Sequence, residues 1–179
     1  LGLFVVVCDG MGGGPSGKAA SSTATDVIIQ TVRSGKLSDS PLTVLQQAIK
    51  MANQALISEI QKKPALRGMG TTVTALLINE YSAIAAYVGD SRIYQFRRGH
   101  KKFRTFDHSM VFEMVRNGTI NEEQARLSEQ SNMITKALGA NSDIEADIVE
   151  LPYEKGDRFM LCTDGIWGMF PERKLIDIV

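Results

Sequence analysis

The chain has 179 residues, 44% of them hydrophobic and 22% charged, with Lys+Arg and Asp+Glu equal at 20 each. That is enough for one domain with a substantial core, since a chain near ~150 residues buries roughly two-thirds of its unfolded surface; the even charge balance argues against a global field that would recruit nucleic acid or a membrane surface. Cys8 and Cys162 lie in separate apolar runs without CxxC spacing, which reads as reduced core thiols in a cytoplasmic protein, and the sequence shows neither a signal-peptide pattern nor an apolar run approaching ~18 residues.

Residues 3–8 form a short apolar run rich in β-branched side chains and predict a central strand. A Gly-rich loop over 10–17 leads into a helix in which Ala20, Ala24, Val27, Ile28 and Val32 recur at helical spacing. Ser40-Pro41 reads as a capping hydroxyl and a first-turn proline for a second helix, striped by Leu45, Ala48, Ile49, Ala52, Leu56 and Ile60. After a linker over 62–70, the runs 71–78, 81–88, 92–96 and 102–106 predict strands. Their turns at 79–80, 89–90 and 98–99 are so short that they imply an antiparallel meander. A helix over 109–117 stops at Gly118, Asn121 and Gln124 mark a capping box, and 127–143 shows no clear period. Residues 144–151 and 158–163 predict a hairpin, and Pro171 opens a last helix. The order specifies an α+β fold, antiparallel sheets with helices packed on a face. A chain that begins with Leu inside one element and ends with Val179 inside another reads as a piece of a longer domain.

Three predicted strands end in a carboxylate beside glycine: Asp9-Gly10, Gly89-Asp90 and Asp164-Gly165. Any one such pair is an ordinary turn. Asp9 and Asp164, however, each follow a fully apolar strand, which puts a carboxylate at a sheet rim with little water and in need of a cation. Side by side they would offer oxygen ligands to magnesium or manganese. Neither His100 nor His108 clusters with cysteine, so zinc is disfavoured and both read as structural or solvent-facing. Residues 12–18 also fit the spacing of a nucleotide-binding P-loop ending in Lys18. Against this, Ala19 replaces the hydroxyl residue that holds magnesium, Asp9 would repel phosphates, and a meander is not a strand–helix alternation. The basic run Arg92, Arg97, Arg98, His100, Lys101, Lys102 and Arg104 reads as an exposed hairpin with solvated charges.

In these residues the chain resembles the metal-dependent protein phosphatases of type 2C. Four motifs stand in the family's order: Asp9-Gly10-Met11-Gly12-Gly13, Gly70-Thr71-Thr72, Gly89-Asp90-Ser91-Arg92 followed by Thr105-Phe106-Asp107-His108-Ser109, and Thr163-Asp164-Gly165-Ile166-Trp167. The likeness covers essentially the whole chain. It implies an αββα sandwich in a single domain over 1–179, with a flap over about 107–138. It implies that Asp9 bridges two manganese or magnesium ions, that the Gly10 carbonyl binds one and Asp164 the other, and that Asp90 contributes to a third, weaker ion. Asp9 and Asp164 are then the catalytic carboxylates, and two ions about 3.5–4 Å apart activate a water against phosphoserine or phosphothreonine. The partners would be phosphoproteins, substrates of a serine/threonine kinase. The family's phosphate-gripping Arg, an acidic pair and a last metal Asp are expected outside residues 1–179. Met11 stands where some relatives carry His, and 127–131 depart from the usual His-Pro. The alternative from another class is a non-catalytic module of the same fold that binds a phosphoprotein or kinase.

The phosphatase and P-loop readings differ at Lys18. Lys18→Ala should leave phosphatase turnover within about threefold, and ATP should not raise the melting temperature at concentrations where manganese does. Saturable ATP stabilisation that disappears in Lys18→Ala would favour the P-loop.

Overall fold

A computed structural model describes residues 2–36 and 39–179. Strand β1 (Leu3–Val7) and the short β2 (Gly10–Met11) lead into two long helices, α1 (Gly14–Ser34) and α2 (Pro41–Lys62). Then come β3 (Gly70–Thr71), β4 (Val73–Ile78), β5 (Ala83–Val88), β6 (Arg92–Arg97) and β7 (His100–Arg104). Short helices α3 (Met110–Arg116) and α4 (Glu122–Arg126) precede β8 (Asp147–Leu151), β9 (Arg158–Cys162), α5 (Asp164–Trp167) and α6 (Glu172–Ile178). Among the described residues every strand pair is antiparallel: β1-β4-β5-β8 in one sheet, β7-β6-β9 in a second, and β2-β3 as a separate ribbon.

Side-chain alternation along the strands assigns the layers. Val73, Ala75 and Leu77 of β4, with Ile84, Ala86 and Val88 of β5, meet Ala24, Ile28, Leu45 and Ile49 of the long helices. The opposite faces, Leu76, Ala83 and Ala85, meet Ile93, Phe159 and Leu161 across the gap between the sheets. Tyr94, Phe96, Met160 and Cys162 on the far side of the second sheet pack on Val111, Phe112, Trp167 and Leu175. Helix, sheet, sheet, helix is the layering expected from the resemblance. Each fully buried Leu, Ile or Phe contributes about 1.5–3 kcal/mol of transfer free energy.

The meander and the final hairpin are not what forms. β4 pairs with β5 and β6 with β7, but the Gly89-Asp90 turn carries the chain from the first sheet to the second. Likewise β8 pairs with β5, while β9 pairs with β6. A short connection can close a hairpin, and it can equally step between sheets stacked ~10 Å apart. β5 is buried along both faces, and β6 nearly so, so their patterning carries no mark of which sheet they join. Local chemistry accounts for smaller differences. Helix α1 starts at Gly14, inside the expected loop, and Ser40 caps α2 without a side-chain bond. The Asn121–Gln124 capping box does form. Cys162 is buried and Cys8 half-buried, and burial pushes both thiols up to about 11. Among the described residues no helix is long and apolar enough to cross a membrane.

Segment 107–138 is held at its ends by isolated bridges, Ser109 with Ile134 and Thr71 with Leu138, and by buried Val111 and Phe112. Within 117–133 Ala125 is the single buried side chain. Amides of that stretch should therefore open locally, well below the global stability, and exchange faster than those of β4. Hydrogen exchange as slow there as in β4 would show that the stretch is part of the rigid core.

Candidate metal centre

Three chain reversals place carboxylates on one rim of the sandwich. Asp9 follows β1, Asp90 lies in the turn from β5 to β6, and Asp164 begins α5 directly after β9. Burial, then the Asp164 charge, raises the pKa of the Asp9 carboxyl, and the nearby Thr163 side chain partly offsets this. Asp90 is buried, and its carboxyl is pushed up to about 7 by desolvation first, then by repulsion from Asp164, Asp107 and Asp9. Among the described residues none of these three aspartates has an ion-pair partner. The structure thus brings together the three carboxylates that the sequence singled out, and they repel one another.

Facing carboxylates without a counter-charge are relieved either by protonation or by a cation. This donor set fits a hard divalent cation, being composed of oxygens alone. Among the described residues no three His, Cys, Asp or Glu side chains close into a ready cage.

The backbone around the aspartates is pinned. Asp9 N–H donates to Thr72 Oγ1 (3.1 Å), while Thr71 Oγ1 and Thr72 N–H both donate to the Asp9 carbonyl (2.9 Å each). Thr72 Oγ1 also meets Ser91 Oγ at 2.7 Å, which links Asp9 to the residue after Asp90. The Gly-Thr-Thr motif therefore acts by clamping the first acidic loop. Gly10 lies against the start of α1, where a Cβ would come within 1.9 Å of the Gly17 carbonyl oxygen. Gly89 has φ +103°, and a Cβ there would lie 2.7 Å from Thr72 Cγ2. His108 is buried: its Nδ1 accepts the Gly89 N–H (3.0 Å), its own N–H donates to the Gly89 carbonyl (3.0 Å), and its ring stacks on Tyr87. It is structural, and it holds the Asp90 turn.

Arg92 corrects the solvated-hairpin reading of the basic run. Its side chain is 6% exposed and pairs with Asp107, whose side chain is fully enclosed, through Nη2–Oδ2 at 2.6 Å and Nε–Oδ1 at 2.8 Å. Its guanidinium lies 3.8 Å from the Trp167 ring centroid, and the Trp167 indole N–H donates to the Asp90 carbonyl at 2.9 Å. A signal for this was present, since alternation from Tyr94 and Phe96 puts Arg92 on the same inward face. Arg97 pairs with Asp157, Arg104 with Glu122 and Lys101 with Glu172, so much of the remaining run is also neutralised. Lys18 is an exposed residue of α1 beside antiparallel sheets, which removes the P-loop reading.

Residues 2–179 match the family model for protein phosphatase 2C. The chain is 32% identical over 179 residues to the serine/threonine phosphatase stp of Listeria innocua, covering 98% of this chain and 71% of that protein. The crystal structure of serine/threonine phosphatase Stp1 from Staphylococcus aureus superimposes with a TM-score of 0.89 at 31% identity, covering 96% of this chain and 68% of that one. The catalytic domain of the serine/threonine protein phosphatase PstP, solved in complex with 2 manganese ions, superimposes with a TM-score of 0.85 at 28% identity, covering 97% of this chain and 72% of that one. The fold is that of PPM-type phosphatases. The chain belongs to the protein phosphatase 2C family and is a protein serine/threonine phosphatase.

The close Gly10–Gly17 approach sets a steric test. Gly10→Ala should cost about 1–3 kcal/mol through forced backbone displacement, lowering the melting temperature by roughly 2–12 °C and weakening manganese binding. An unchanged melting curve and manganese isotherm would show that the loop tolerates displacement.

Proposed function

We propose that this chain hydrolyses phosphoserine and phosphothreonine in proteins modified by a serine/threonine kinase, using manganese or magnesium ions held by Asp9, the Gly10 carbonyl and Asp164, with Asp90 serving a third, weaker ion. The observation that carries the proposal is the mutual repulsion of three aspartates at one rim without an ion-pair partner among the described residues. Asp9 stands nearest in role to a bridge: its carboxyl feels the Asp164 charge, and Thr71 and Thr72 fix its backbone. Asp164 follows an apolar strand directly, so its position is set by β9 rather than by a loose loop. When bound, a pair of such cations polarises a water for in-line attack on phosphorus and neutralises the phosphoryl oxygens. The relative solved with 2 manganese ions supports the ion count. Two free cysteines, one buried and one half-buried, suit a reducing compartment such as the cytoplasm.

Asp9→Asn keeps the shape of the side chain and removes one negative charge. It should abolish tight binding of both ions and lower manganese-dependent phosphate release from a phosphoserine peptide by several orders of magnitude. Near-normal release by Asp9→Asn would remove Asp9 from the centre.

A further inference from the structure

Trp167 is the chain's single tryptophan. It is 2% exposed and ends the one-turn helix that Asp164 begins; the Gly168 N–H closes that turn on the Asp164 carbonyl at 2.8 Å. A buried indole needs one acceptor for its N–H. The acceptor here is the carbonyl of Asp90, which belongs to the turn between β5 and β6. This bond uses the backbone carbonyl of Asp90 and not its carboxylate.

The ring itself is braced. The Arg92 guanidinium lies over one face at 3.8 Å, and Phe112 meets the ring edge-on with centroids 6.1 Å apart and planes at 85°. Arg92 is in turn immobilised by the Asp107 fork and by Nη1 donating to the Tyr94 hydroxyl at 3.0 Å. A chain of contacts therefore runs from Asp107 through Arg92 and Trp167 to Asp90, and Trp167 is covalently close to Asp164. Thr72 and Ser91 make a separate link between Asp9 and the same turn.

We infer that Trp167 is a positioning residue that locks the Asp90 turn to the Asp164 helix, and that Arg92, pinned by Asp107, holds the indole for that task. The inference rests on reading the aspartates as metal ligands. Groups outside a metal's own ligands that orient them commonly change affinity by 10–100-fold when removed. A tryptophan that served only as packing would change stability without changing affinity.

The test titrates manganese chloride into the wild-type chain and variants by calorimetry, with metal-free melting curves recorded alongside. Trp167→Phe keeps a stacked ring and loses the donor; it should weaken manganese binding about tenfold while lowering the metal-free melting temperature by only about 2–4 °C. Arg92→Lys should weaken binding to a similar degree. The double variant should fall well short of the product of the two losses, because both act through one contact chain. Phe96→Leu, in the same apolar cluster but at the other end of β6, should lower stability and leave manganese affinity unchanged. In the wild type, Trp167 emission should change with magnesium and saturate as magnesium binds. Unchanged affinity in Trp167→Phe, equal weakening in Phe96→Leu, or an emission that ignores bound magnesium overturns the inference alone. Absence of manganese binding to the wild-type chain overturns the metal reading and the inference with it.

Discussion

A carboxylate removed from water must find positive charge, and two solutions to that constraint organise this molecule. Asp107, with its side chain fully enclosed, finds it internally in Arg92. Breaking such a buried pair costs about 3–5 kcal/mol, against about 0–1 kcal/mol for exposed pairs such as Arg116–Glu113. Around the Arg92 guanidinium gather Tyr94, Phe112 and Trp167, three of the largest side chains in the layer between the second sheet and the short helices. Asp9, Asp90 and Asp164 have no such internal partner among the described residues, and the repulsion between them is not relieved within the chain. The same physical demand is met within the chain on one side of the Asp90 turn and left unmet on the other.

The stacked sheets turn that demand into a site. Because β5 and β6 belong to different sheets, the turn between them lies where the two layers come together at one rim. The ends of β1, in one sheet, and β9, in the other, reach the same place, since the Asp9 carboxyl feels the Asp164 charge. A single hairpin could not bring these three ends together. Small hydrogen bonds then refine the position: Thr72 joins Asp9 to Ser91, and His108 clasps Gly89 from both its N–H and its carbonyl. Each is worth about 0.5–1.5 kcal/mol, so their importance lies in geometry more than in stability.

The flanking segment 107–138 shares these anchors. Its beginning contains Asp107, His108 and Ser109, all buried, and its end returns through Leu138 beside Thr71. Asn53 of α2 secures the following loop, accepting the Gly139 N–H at 2.8 Å and donating to the Asn141 and Ser142 carbonyls. The exposed middle of the segment is thus suspended between fixed points at its two ends.

Much of this was legible from local pattern. The long helices follow from apolar residues at helical spacing, the capping box from Asn121 and Gln124, and the acidic centre from carboxylates placed directly after apolar strands. These are properties of neighbours in sequence, where backbone geometry alone fixes which side chains face together. The sheet to which each strand belongs was not legible, because β5 is buried on both faces and β6 nearly so, and short turns permit either a hairpin or a step between layers. Arg92 was hidden among basic neighbours for a related reason. Alternation from Tyr94 and Phe96 marked its inward face, but not the partner that lets a guanidinium enter a core, since Asp107 lies fifteen positions along the chain. The sequence by itself determined the elements and the carboxylates that follow their strands. The tertiary structure decided which sheets those elements joined and which charges were enclosed, because both depend on long-range contacts that no local period encodes.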